Sequence, residues 1–409
     1  MATARLRGSD RAAVAAAVVT AAVAVLVATP AHAGTPAGAG TGAPALVGSG
    51  VEPVHLDVLG HSAAAHRVSG SGVVVGDAHL DGGGLRAFRW ESGEAALLPG
   101  SDDDSNAVDV NDGGQVLAQT YRDDGSAGAV LWHADGRVVD LAPAPASAYA
   151  WDLDESGRVA LNVSDPSSWS THAAVWQDGT LTLLDDGGAA SYVGEAGALN
   201  ERGDVAGTVV ADDGSHAVVW RDGAATRLPT PDGAQSFAEG LNERGDVLGS
   251  VQQDAVMRAV VWERGRLRYL VPDAVERQVF HDLNERGVAA GAVGNDRETM
   301  RAALADRRGV AALPTLGGPT GTAYAVNDRG VAVGSATTGP DTAYGQAVAW
   351  VRGRAVPLSA QVDGVEPVNS AALDVDERGR AVGYVQLRDP DGSVSFTMRA
   401  VLWEVPAGS

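Results

Sequence analysis

Nine tryptophans stand in the chain, and seven recur at one place in a repeating unit: Trp90, Trp132, Trp176, Trp220, Trp262, Trp350 and Trp403. An exposed indole stacks on a sugar ring, so such a set has the chemistry of a glycan reader. Repetition at a strand position points instead to packing of half-buried surfaces. Trp151 and Trp169 fall outside that register, and Tyr324 holds in its own repeat the place that Trp151 holds. Trp151, Trp169 and Tyr324 are therefore the candidate ligand-binding residues, with Trp151 and Tyr324 expected on one surface.

Other residue sets carry weaker chemistry. His172 and His216 stand one repeat apart, a spacing that can bring two imidazoles to a metal, but no cysteine accompanies them and structural hydrogen bonds explain them as well. Asp152-x-Asp154-x-Ser156-Gly157 resembles the opening of a calcium loop, with Asp109, Asp282 and Asp374 at the equivalent of Asp152. Val163 closes that twelve-residue window and has no oxygen to offer, so a hairpin turn accounts for the same residues. No G-x-S-x-G, H-E-x-x-H or phosphate-binding loop is present. No catalytic residue, metal set or cofactor is assigned; calcium is the alternative left open.

The elements that must position these residues follow from the repeat. Three residues before each Trp position stands Ala87, Ala129, Ala173, Ala217, Ala259, Ala302, Ala347 or Ala400, with Ala305 in place of Trp in the sixth copy. Upstream lies Asn-x-x-Gly, clearest at Asn200–Gly203, Asn242–Gly245 and Asn284–Gly287, and always preceded by Val or Leu. Asparagine capping a type I turn, with glycine in the left-handed position, is hairpin chemistry. Each unit reads as four short strands. Four-stranded units about every 43 residues predict an all-β, eight-bladed β-propeller. The last copy stops after Trp403-Glu404-Val405, and Val54–Leu59 resembles a fourth strand. The N-terminal strand is thus expected to pair into the last blade and close the ring. Residues 51–409 become one domain, where length alone suggests two or three.

The pattern A-x-x-[LV]-N-x-x-G-x-V-x-G followed by [HR]-A-[FV]-x-W resembles the HAF family of extracellular repeat proteins. The nearest forms are Arg86-Ala87-Phe88, His172-Ala173-Ala174 and His216-Ala217-Val218. The resemblance spans nearly all of residues 51–409 and implies secretion and a repeat fold, with no activity attached.

Arg5, Arg7 and Arg11, the apolar run Ala12 to Ala28 and Ala31-His32-Ala33 read as a secretory signal peptide over residues 1–33. Residues 34–50 read as a flexible Gly/Ala/Pro linker. A net charge of -22 makes nucleic acid a poor partner, because the chain repels phosphates. Zero Cys excludes a cystine scaffold, and the absence of Lys and Ile points to a high-GC bacterial coding bias. Acidic runs such as Asp123-Asp124, Asp185-Asp186 and Asp212-Asp213 fall in the connections between strands two and three or four and one. Those connections are expected to be long and to share one face, opposite the hairpin turns. The function expected is a secreted, monomeric binding or interaction module, free of the membrane after signal cleavage, whose loop face holds an extracellular protein or polysaccharide. The alternatives are a polysaccharide hydrolase or lyase with acids at the channel mouth, and a structural surface protein without a small ligand.

Overall fold

The computed structural model describes residues 50–406, apart from 59, 100–103, 144–145, 166–169, 195–196, 272–274, 341, 343, 363–366 and 389–393. The expected signal peptide, all but the last residue of the linker, and Trp169 lie outside the described residues.

Alternating apolar and polar residues between turn signals form strands, and these pair into eight antiparallel four-stranded sheets. Together they make an eight-bladed β-propeller. Seven blades are built in chain order, over 62–97, 104–140, 147–183, 190–227, 235–269, 277–312 and 321–357. The eighth takes Pro367–Val375, Arg380–Arg388 and Val394–Glu404, then borrows Pro53–His55 as its outer strand. Pro53 pairs with Trp403, Val54 with Leu402 and His55 with Val401. Leu56 follows into the core, fully buried.

The core lies between blades rather than within them. Ala206, Ala217 and Val219 of the fourth blade pack with Ala238, Val260 and Trp262 of the fifth. The repeated tryptophans sit in these layers, and Trp220, Trp262, Trp350 and Trp403 are almost wholly buried. Their indole N–H groups reach back to the connection that enters the blade: Trp262 Nε1 donates to the Pro229 carbonyl and Trp350 Nε1 to that of Pro314, each at 2.7 Å. Trp262→Ala is therefore expected to cost about 3–5 kcal/mol of stability. Urea unfolding measures it, and a loss near zero would remove these residues from the core.

The hairpin turns also join the blades. Gly203, Gly245 and Gly287 take φ of 82, 79 and 77°, the left-handed region that glycine enters without strain. Asn242 Oδ1 accepts the N–H of Arg244 and of Asp246, while its Nδ2 donates to the Asn284 carbonyl in the next blade. Asn284 and Asn327 repeat that reach toward Asn327 and Asp376. Where Asp replaces Asn, as at Asp154 and Asp376, the carboxylate still caps the turn, and Arg158 or Arg380 supplies the donor to the next blade.

The connections differ from the expectation in one respect. Asp212-Asp213 and Asp254-Ala255 are two-residue turns between strands two and three, not long loops. Asp254 and Ala255 both have positive φ, the geometry whose twist matches a tight hairpin. His216 and Arg227 hold the Asp213 carboxylate beside that turn in the fourth blade.

Candidate functional site

The first strand of each blade is the innermost, and in seven of the eight blades it carries a bulge just before its turn. Pairing slips by one residue between Ala65 and Arg67, Ala107 and Asp109, Ala150 and Asp152, Ala238 and Gly240, Phe280 and Asp282, Ala323 and Ala325, and Ala372 and Asp374. A bulge sets two residues against one and re-aims a side chain. Opposite it, five of these blades carry glycine; a Cβ on Gly334 would lie 1.9 Å from the Thr322 carbonyl and one on Gly76 2.0 Å from that of Ala64. The bulges place side chains from the hairpin ends of the inner strands around a cavity of about 270 Å3. It is lined by Arg67, Asp109, Asp152, Asp282 and Asp374 together with Trp151, His281 and Tyr324.

The four aspartates brace the ring. Asp152 Oδ1 accepts its neighbour's N–H at Leu153 (3.0 Å), and Oδ2 accepts that of Leu199 in the following blade (2.7 Å). Asp109 does the same for Val110 and Leu153, Asp282 for Leu283 and Val326, and Asp374 for Val375 and Val68. The fourth blade has Ala198 at this position, and the Gly197 carbonyl accepts the Leu241 N–H instead, at 2.6 Å. A carboxylate has about four lone-pair sites, so two such bonds leave each aspartate able to accept more.

Burial sets the charge state of the site. It pushes Asp282 up from 3.8 to about 6. It also raises Asp152, and it raises Asp109 well above the ordinary range, with the neighbouring Asp152 charge adding to the effect. These two carboxyls are close enough to share a hydrogen bond, so they titrate as a pair rather than singly. Burial lowers His281, which is therefore uncharged at neutral pH. Burial opposes the charge on Arg67 as well, but the fields of Asp374, Asp109, Asp282 and Asp152 outweigh it. The guanidinium forms no direct ion pair or hydrogen bond among the described residues. Trp151 Nε1 is likewise buried without a hydrogen-bond partner. The His281 and Tyr324 rings pack with centroids 5.7 Å apart.

Of the residues expected to bind a ligand, Trp151 and Tyr324 both line this cavity. The cavity lies at the hairpin end of the channel, away from the longer connections. Arg67 and His281 escape sequence reasoning, although Arg67 is visible once the eight copies are aligned on the residue before Val or Leu. Asp154 is committed to its turn, accepting from Arg158 and Ser156. His172 bonds Asp186 and Ser170. Among the described residues, no group of three His, Asp or Glu is placed to hold a metal ion.

No family model matches the chain, and no curated protein matches it in sequence. Solved structures do resemble it. A Mycobacterium tuberculosis puromycin-hydrolyzing peptidase aligns with a TM-score of 0.51 at 14% identity, covering 82% of this chain and 59% of that one. A puromycin hydrolase aligns with a TM-score of 0.51 at 18% identity, covering 81% and 59%. This chain thus spans about three fifths of the length of either protein, and what it shares with them is the propeller fold.

Proposed function

We propose that the chain is an extracellular binding module, a closed propeller whose central channel receives a polar group of a protein or polysaccharide ligand. The observation that carries this reading is a donor left over in the cavity wall. The Arg67 guanidinium lines the cavity with no hydrogen-bond acceptor among the described residues. A buried donor without a partner costs on the order of 1–3 kcal/mol, and a ligand or water oxygen removes that cost. A cavity of 270 Å3 is at the small end of ligand sites. It suits one sugar unit or one side chain of a larger ligand, while the connections on the opposite face offer further contact.

The hydrolase or lyase reading fits the carboxyls less well. Asp109 and Asp152 are in hydrogen-bond contact, whereas glycosidase carboxyls stand about 5 Å or more apart. Both oxygens of each are also engaged by backbone N–H groups.

The test is retention of the purified protein on a glycan array and on immobilised cell-wall polysaccharides and surface proteins. Wild type should be retained by at least one class. Trp151→Phe, which trims a ring of the cavity wall, should weaken retention about tenfold. Failure to bind any class, or a Trp151→Phe variant that binds like wild type, would overturn the reading.

A further inference from the structure

The balance of charge in the channel narrows the ligand. Resting on the reading of this cavity as a binding site, we infer that the group it receives is a primary ammonium beside a hydroxyl, the chemistry of an amino sugar with a free amine.

The cavity wall holds four carboxyls and a single guanidinium. Even with burial raising Asp109, Asp152 and Asp282, acidic groups outnumber the guanidinium, and His281, lowered by burial, adds no positive charge at neutral pH. Among the described residues Arg67 touches none of the carboxylates directly, and no other cation lines the cavity. The wall is thus short of positive charge, and each aspartate keeps lone pairs beyond its two backbone bonds. An ammonium has three donors for those lone pairs. Trp151 and Tyr324 also stand in the wall, and aromatic rings attract cations where negative charge does.

The hydroxyl follows from the unpaired donor. Arg67 needs an acceptor, and a carboxylate or phosphate in that role would meet the field of the four aspartates. A hydroxyl accepts from the guanidinium without adding negative charge. The lining acids and Arg67 are only half-buried, so water and a small ligand group reach them.

The probes are glucosamine, N-acetylglucosamine and glucose, titrated by calorimetry into the full chain in phosphate buffer at pH 7.5. Glucosamine should bind, with the other two at least tenfold weaker, because acetylation or loss of the amine removes the charge. Tris, itself a hydroxylated primary amine, should compete. Asp282→Asn should weaken glucosamine at least fivefold. Should that variant fold poorly, wild type serves the same purpose: affinity should rise from pH 5 to pH 7.5 as Asp282 ionises within the field of Arg67, Asp109, Asp152 and Asp374. Equal binding of glucose and glucosamine would overturn the ammonium inference and leave the binding module standing. So would an absence of glucosamine binding while a polysaccharide or protein is still retained. Absence of binding in both experiments would overturn both.

Discussion

Deleting residues 51–60 should unfold the whole ring rather than one blade. The segment supplies the outer strand of the eighth blade, pairing from Pro53 to His55 along Trp403 to Val401. Val51 also bridges to the seventh blade, donating to the Pro357 carbonyl and accepting from the Ser359 N–H. Leu56 fills a core shared with Val382 and Leu402 of the eighth blade and with Ala65 and Phe88 of the first. Without the segment the last blade has three strands and an open apolar edge, and the interface between first and last blades loses its plug. The expected result is a fall of at least 10 °C in the midpoint of thermal unfolding, in a single transition. The milder Leu56→Ala should cost about 2–5 kcal/mol. A deletion variant that melts with the wild type would show that the ring does not depend on this closure.

Arg67→Met is expected to cost on the order of 1 kcal/mol or more near pH 7.5, because Arg67 acts on a half-buried site through its field and not through a direct ion pair. It removes the one cation among four half-buried carboxyls. The loss should shrink on acidification. A carboxyl whose pKa is raised by folding contributes stability that is full below its unfolded value and lost as pH rises through its folded value. In the wild type, Asp282 goes from 3.8 to about 6. Its ionisation between about pH 4 and pH 6 thus removes ~3 kcal/mol as an upper bound. Removing Arg67 takes away a charge that lowers Asp282, so the variant should be still more pH-dependent. Urea unfolding at pH 4.5 and pH 7.5 checks both parts. An equal deficit at the two pH values would mean that Arg67 acts by packing alone.

The blades were legible because tryptophan, alanine and Asn-x-x-Gly recur at a fixed spacing, and the closure because the first strand-like segment supplies what the last copy lacks. The channel was legible only in part. Simple alternation puts Trp151 and Asp152 on opposite faces of a strand, and a bulge between Ala150 and Asp152, set against Leu161 and Ala160 with no glycine to announce it, overturns this. Arg67 stayed hidden because it departs from the aspartate of its repeat, so a search for recurrence passes over the copy that differs. The partners of Asn242 and Asn284 stayed hidden because they lie a full repeat away, beyond any local turn rule.

The links at the turns between the first and second strands run in one rotational sense. Ser71 donates to Asp112, Asp112 to Glu155, Glu155 to Glu201, Glu201 to Glu243, and Glu243 to Glu285. Asn284 and Asn327 carry the series on, and Arg380 returns it to Gly70 of the first blade. Each repeat therefore brings its own donor for the blade ahead and its own acceptor for the blade behind. A duplicated or lost repeat changes the count without leaving a junction unmatched, so the blade number of such a ring is free to drift in evolution while its joints stay the same.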